Sequence, residues 1–164
     1  MIQDTYGTRD STGDEISSSE LRELLNGLFA SQKLAVLATH QDGQPYSNLV
    51  AFAATDDLNV LLFATTRATR KYRNLAADPR VSMLMDNRSN RESDFHDAVA
   101  VTATGRAEEL QDAERRGYSD LFLRKHPHMK EFVLSPTCAL VRMQVDCYYV
   151  VRYFQTVVEL RPTP

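Results

Sequence analysis

Three apolar runs follow one another too closely for anything but tight turns to join them. Leu34–Thr39 and Pro45–Ala54 are separated by Gln41-Asp42-Gly43-Gln44, whose Asp-Gly pair marks a two-residue hairpin, and Asp56-Asp57 turns the chain into a third run, Leu58–Ala64. A parallel pair of strands needs a crossover of a dozen or more residues, and there is no room for one here. The chain must therefore begin its sheet as a consecutive antiparallel meander, which disfavours a doubly wound parallel sheet.

The remaining segments extend that start. Ser17-x-x-Glu20 is a capping box, and Leu21, Leu24, Leu25, Leu28 and Phe29 follow at helical spacing, giving an amphipathic helix to about Ser31 that serves as a lid on a core. Arg80–Met85 reads as a fourth strand, followed by a polar loop from Asp86 to Asp97. Ala98 to about Leu110 reads as a fifth, with Gly105 suited to a bulge. Gln111–Lys125 is helical, a short helix follows around Met129–Leu134, and Cys138–Val145 and Tyr148–Leu160 are two last strands. Some seven strands with peripheral helices and short connections predict a mostly β (α+β) barrel. Residues 1–16, rich in Asp, Thr, Gly and Ser, are expected to form a loose arm ahead of a single domain over 17–164.

The third strand runs directly into a basic helix, expected over Arg67–Ala77. Arg67, Arg70, Lys71 and Arg73 crowd its start, and no acid appears before Asp78. Cations at a helix N-terminus oppose the helix dipole, at a cost of about 0.3–1 kcal/mol each, and repel one another at i,i+3 and i,i+4 spacing. A bound anion would reverse that sign, taking backbone N–H groups at the helix start, hydroxyls from Thr65, Thr66 or Thr69, and charge-assisted bonds from Arg70 and Lys71. A solvated basic face is the alternative, and the stretch alone does not choose between them. Beside it, Ser47 and Asn48 on the second strand would let a flat ring with an amide-like edge lie against backbone polar groups.

Net charge is −3, so the basic run is a local exception, and neither nucleic acid nor an anionic membrane is an expected partner. No apolar run approaches membrane-spanning length, and a cytoplasmic setting is expected. Cys138 and Cys147 lack metal spacing and read as buried, reduced thiols. His126-Pro127-His128 reads as a surface loop rather than a metal site, and His40 and His96 as lone structural residues. There is no GxSxG, GxGxxG or Walker loop, so hydrolysis has no supporting motif.

The run G43-Q-P45…S47-N-L-V-A-F52…L62-F-A-T65-T66…R70-K71…N74-L75…D78-P79-R-V-S82 resembles the FMN-binding split-barrel family related to pyridoxamine 5′-phosphate oxidase. Its most specific part is Thr-x₄-Arg-Lys followed by Asn-Leu and Asp-Pro. The resemblance implies a six-stranded antiparallel split β-barrel with peripheral helices, assembled as a homodimer with FMN at the subunit interface. By position it implies that Thr65, Arg70 and Lys71, with Thr66 adjacent, hold the FMN phosphate, and that Ser47, Asn48, Leu49 and Val50 face the isoalloxazine. Asn87 and Arg88 are further candidates for the ring or ribityl chain. The oxidase's terminal Arg- and Trp-containing segment is not matched, since the chain has no Trp and ends FQTVVELRPTP, so a small-molecule substrate other than pyridoxamine phosphate is expected. A non-catalytic carrier of FMN, deazaflavin or haem is the alternative: deazaflavin would call on Arg88 and Arg91, and haem on His40, His96, His126 or His128.

Overall fold

The structure, a computed structural model, describes residues 16–153 and 156–162. The expected arm at 1–16 lies outside them except for Ile16. Helix α1 (Ser18–Ser31) starts at the expected capping box, with the Ser17 N–H donating to the Glu20 carboxylate at 2.9 Å. The hairpin of β1 (Leu34–Gln41) and β2 (Gln44–Ala54) turns at Asp42 and Gly43 with φ of 51° and 80°, the left-handed pair that a primed turn demands. Then come β3 (Val60–Thr66), α2 (Arg70–Ala77), β4 (Arg80–Asp86), the single turn α3 (Asp94–Asp97) and β5 (Ala100–Glu109). Helix α4 (Asp112–Lys125) leads through a 3₁₀ turn at Pro127–Met129 into α5 (Lys130–Leu134), and β6 (Cys138–Arg152) and β7 (Thr156–Leu160) end the order.

The strands pair in the order β3-β2-β1-β4-β5-β6, all antiparallel, and β3 also pairs β6, so six strands close into a barrel and β7 lies outside it. The two last strands expected from the sequence are divided differently: β6 is one strand of 15 residues. One of its edges pairs β3 from Cys138 to Gln144 and β7 from Tyr148 to Arg152, while the other edge pairs β5 from Val141 to Val151. Asp146 is the extra residue of a bulge opposite Gly105, and a Cβ on Gly105 would meet the Gln144 carbonyl oxygen at 2.1 Å. Only glycine permits that approach.

The barrel is filled by one apolar cluster that includes Leu37, Phe52, Leu61, Phe63, Met83 and Val141. Helix α1 closes one end through Leu21, Leu25, Leu28 and Phe29, the last packing edge-on against Phe52 at 5.7 Å. A second cluster lies outside the barrel, where Val60, Leu62 and Leu140 meet Phe122 of α4 and Val133 of α5. On the opposite outer face Leu49 is 64% exposed and Leu34 52%. Among the described residues no helix is long and apolar enough to cross a membrane.

Candidate functional site

The basic segment is divided by where its helix begins. Thr69, not Arg67, caps α2: its hydroxyl oxygen accepts the Tyr72 N–H at 3.4 Å and its O–H reaches the Thr66 carbonyl at 2.9 Å. A threonine cap satisfies a first-turn N–H that an arginine cannot, so Arg67 and Ala68 fall in the turn before the helix. Thr65 is 2% exposed, with its hydroxyl 3.0 Å from that of Thr69. It braces the turn from inside the barrel, while Thr66 faces outward.

The four cations then part company. Arg67 forks onto the Glu109 carboxylate and donates to the Pro136 carbonyl at 2.7 Å, and the Tyr72 hydroxyl bonds Glu109 from the other side. Burial alone would raise the Glu109 carboxyl, but the bonds from Arg67 and Tyr72 hold it below the ordinary glutamate value. Arg73 donates to the Ala68 carbonyl at 3.3 Å. Arg70 has no carboxylate partner among the described residues and lies over the Tyr46 ring, 4.7 Å from its centroid. Lys71 is half-buried with no counter-ion among the described residues, and burial depresses its ammonium.

Under these two residues is a polar floor. Alternation along β2 turns Tyr46, Asn48, Val50 and Phe52 to the inner face and Ser47 and Leu49 to the outer one. Val50 is 5% exposed and belongs to the core, so only its backbone is available to a ligand. Both polar atoms of the Asn48 amide are buried without a partner among the described residues. Asn74 of α2, fully buried, donates to the Thr39 hydroxyl at 3.0 Å and leaves its own carbonyl oxygen unpartnered. Unsatisfied buried polar atoms cost about 1–3 kcal/mol each, so two asparagines left this way at one barrel end call for an outside partner.

Beside this end, a groove of about 400 Å³ runs between His40, Pro45, Arg80, Ser82 and Thr104. His40 meets Asp78 at 3.2 Å, and bonds from Arg80 hold the Asp78 carboxyl far below the usual range.

Asn87 and Arg88 are not brought here. They follow the opposite end of β4, five to six residues beyond Ser82, about 17–20 Å along the strand. The Asn87 side chain accepts the Val99 N–H at 2.7 Å, and Arg88 pairs with Asp86 at 3.1 Å. Arg88 lines a groove of about 390 Å³ on the outer face with Leu84, Arg91 and Phe95, whereas Asn87 lines a separate one of about 320 Å³ against α1. His126, expected in a surface loop, is 1% exposed and bonds the Phe52 carbonyl at 2.8 Å, because the 3₁₀ turn folds it under α4. Cys138 and Cys147 are buried free thiols, raised by burial. Thr39, Tyr46 and Asn74 are the site residues that sequence reasoning gave no role. A polar residue beside Leu75 on the inner side of an otherwise exposed helix was the available signal.

The closed antiparallel barrel carries a cation-bearing helix at one end, and the sequence identifies the family to which this fold belongs. The family model described as pyridoxamine 5′-phosphate oxidase matches residues 18–145, and the chain belongs to that family. No curated protein matches the sequence. Among solved structures, a heme binding protein from Mycobacterium smegmatis is 19% identical with a TM-score of 0.76, over 91% of this chain and 60% of that one. A protein related to general stress protein 26, of the pyridoxinephosphate oxidase family, from Clostridium acetobutylicum is 15% identical, with a TM-score of 0.68 over 89% of this chain and 96% of that one. A FAD-binding protein from Mesorhizobium loti is 20% identical, with a TM-score of 0.64 over 82% and 92%. At these identities the likeness is one of fold.

Proposed function

We propose that the chain binds FMN at the α2 end of the barrel, as a homodimer with the flavin at the subunit interface, and acts as an oxidoreductase on a small molecule. The observation that carries this reading is the pairing of two uncompensated cations, Arg70 and Lys71, with the unsatisfied amide of Asn48 beneath them. A phosphate fits the cations and the first-turn N–H groups of α2, and a heterocycle edge fits an amide that needs both a donor and an acceptor. Thr66 adds a hydroxyl from the outer side of the turn, and Thr65 holds the turn in place. Ser47 and Leu49, with the backbone at Val50, offer a flat wall to the ring. Asn87 and Arg88, at the far end of β4 and engaged with Val99 and Asp86, take no part in this arrangement. When bound, the flavin supplies hydride exchange at N5, while the protein supplies position and charge.

The exposed Leu34 of β1 and Leu49 of β2 on the outer face support the dimer, since neighbouring exposed apolar strand residues are what an isologous interface covers. The test is an absorbance spectrum of the purified protein before and after adding FMN. Bands near roughly 370 and 450 nm, or quenching of FMN fluorescence, are expected from flavin chemistry. A Soret band would favour the haem-carrier reading, and a protein that leaves FMN unchanged would overturn the flavin reading. Light scattering at micromolar concentration is expected to give a dimer, and a monomer would count against the shared interface.

A further inference from the structure

The barrel end opposite α2 holds a lysine that the proposed function does not use. A cleft of about 520 Å³ lies between α1, the end of β2 and α4, and Asn26, Asp56, Leu121, Arg124 and Lys125 are among its lining residues. The Lys125 amine donates to the Phe29 carbonyl at 2.7 Å and lies 3.7 Å from the centroid of the Phe52 ring. Both acceptors are neutral, and no carboxylate among the described residues pairs with it. Burial and the nearby charge of Lys33 push it down to about 8.

The same two contacts orient the uncharged amine. One N–H is directed to the carbonyl and the other to the negative face of the ring, so the lone pair is left for the third side, toward the cleft. Arg124 and Asp56 in the cleft walls offset one another, and Lys33 nearby leaves the surroundings with one net positive charge when Lys125 is neutral, a modest bias toward an anion. We propose that Lys125 is a carbonyl-capture site, forming Schiff bases with small anionic aldehydes that enter this cleft. The amine nitrogen adds to the aldehyde carbon, and the carbonyl oxygen leaves as water with the two amine hydrogens. A C=N bond forms, with no change of oxidation state.

The experiment treats the full chain at pH 7.5 with glyoxylate and cyanoborohydride, which fixes any imine as a secondary amine, and maps the label over the four lysines, Lys33, Lys71, Lys125 and Lys130, by peptide mass spectrometry. At that pH the uncharged fraction of an amine near 8 exceeds that of an exposed lysine on the order of a hundredfold. Lys125 is therefore expected to take the label well ahead of Lys33 and Lys130. Lys125→Arg keeps the cation over Phe52 and should abolish that label without lowering the melting temperature by more than a few degrees. Arg124→Ala should slow labelling by glyoxylate and leave labelling by acetaldehyde unchanged. Lys71, also depressed by burial, is the internal control: saturating FMN should protect Lys71 and not Lys125, so failure of the flavin reading and failure of this one are separable. Equal labelling of Lys125 and Lys130, or a Lys125 label that survives Lys125→Arg in the intact mass, would overturn the proposal.

Discussion

Lys71 and Lys125 stand at opposite ends of one barrel, both partly withdrawn from water, and they differ in what they face. Lys71 opens α2 after the C-terminal end of β3 and has no acceptor, above two asparagines with unsatisfied atoms. Lys125 closes α4 near the β2–β3 turn and is held by a carbonyl and an aromatic ring, in an end already filled by Phe29, Phe52 and Tyr148. At one end the chain itself supplies the lysine's partners, a carbonyl and a ring, beside an open cleft. The other is left short of an anion and of hydrogen-bond partners, and its packing serves to hold that shortage in place. The pair of Arg67 and Arg70 repeats the lesson at close range: three residues apart, one is consumed by Glu109 and the other is left over an aromatic face.

The comparison breaks most visibly at the filled end. Phe52→Ala removes the ring beneath Lys125 and Phe29 and should lower unfolding free energy by about 3–5 kcal/mol in a denaturant titration. A loss under about 1 kcal/mol would show that this end is not packed as described.

At the open end the effect should fall on binding instead. Arg70→Ala removes one charge-assisted contact and should weaken FMN by about 1.5–3 kcal/mol, roughly 10- to 150-fold, with riboflavin hardly affected. Stability without ligand should hold or rise by a few tenths of a kcal/mol, since a cation leaves a helix start. Equal losses for both ligands, or none for FMN, would make the basic cluster a solvated face.

Glu109→Gln separates the two arginines. It should cost about 1 kcal/mol of stability at neutral pH, given a partly exposed ion pair, and change FMN affinity less than about twofold. Because the folded carboxyl lies below its unfolded value, its contribution is present above the ordinary glutamate range and is lost as pH falls through the lowered value. The difference between wild type and variant should therefore vanish in acid. A FMN loss as large as that of Arg70→Ala would move Arg67 and Glu109 into the binding site.

The last expected effect is a slope. Lys125 titrates near 8 when folded and near the ordinary lysine value when unfolded, so between those values the unfolded chain holds more protons and stability should rise with pH. Lys125→Met should lack that component, visible as a falling difference between the two stability curves from about pH 8 to 10. Parallel curves over that range would show that the amine is not withdrawn from water.

The hairpin start, the capping box and the α1 stripe were legible because each depends on residues close in sequence, while Gly105 showed that a bulge was suited there but not that the Gln144 carbonyl requires it. The basic cluster was legible as a composition but not as a site. Only the cap at Thr69 and the reach of Glu109 across 42 residues separate Arg67 from Arg70. Thr39 and Tyr46 carried no signal of their own, and Asn74 only that of a polar residue beside Leu75, since their importance lies in the bonds Thr39 makes with Tyr46 and Asn74 under α2.

By itself the sequence determined an antiparallel barrel with helices around it, and it placed a cationic helix after the third strand, because turn chemistry, hydrophobic period and charge spacing are local properties. The tertiary structure decided that β6 would be one strand shared along one edge between β3 and β7, that His126 would be buried, and which cations would be left without partners. Those outcomes depend on which distant groups arrive within hydrogen-bond distance once the barrel closes, and closure is set by the pairing of β3 with β6, segments about eighty residues apart.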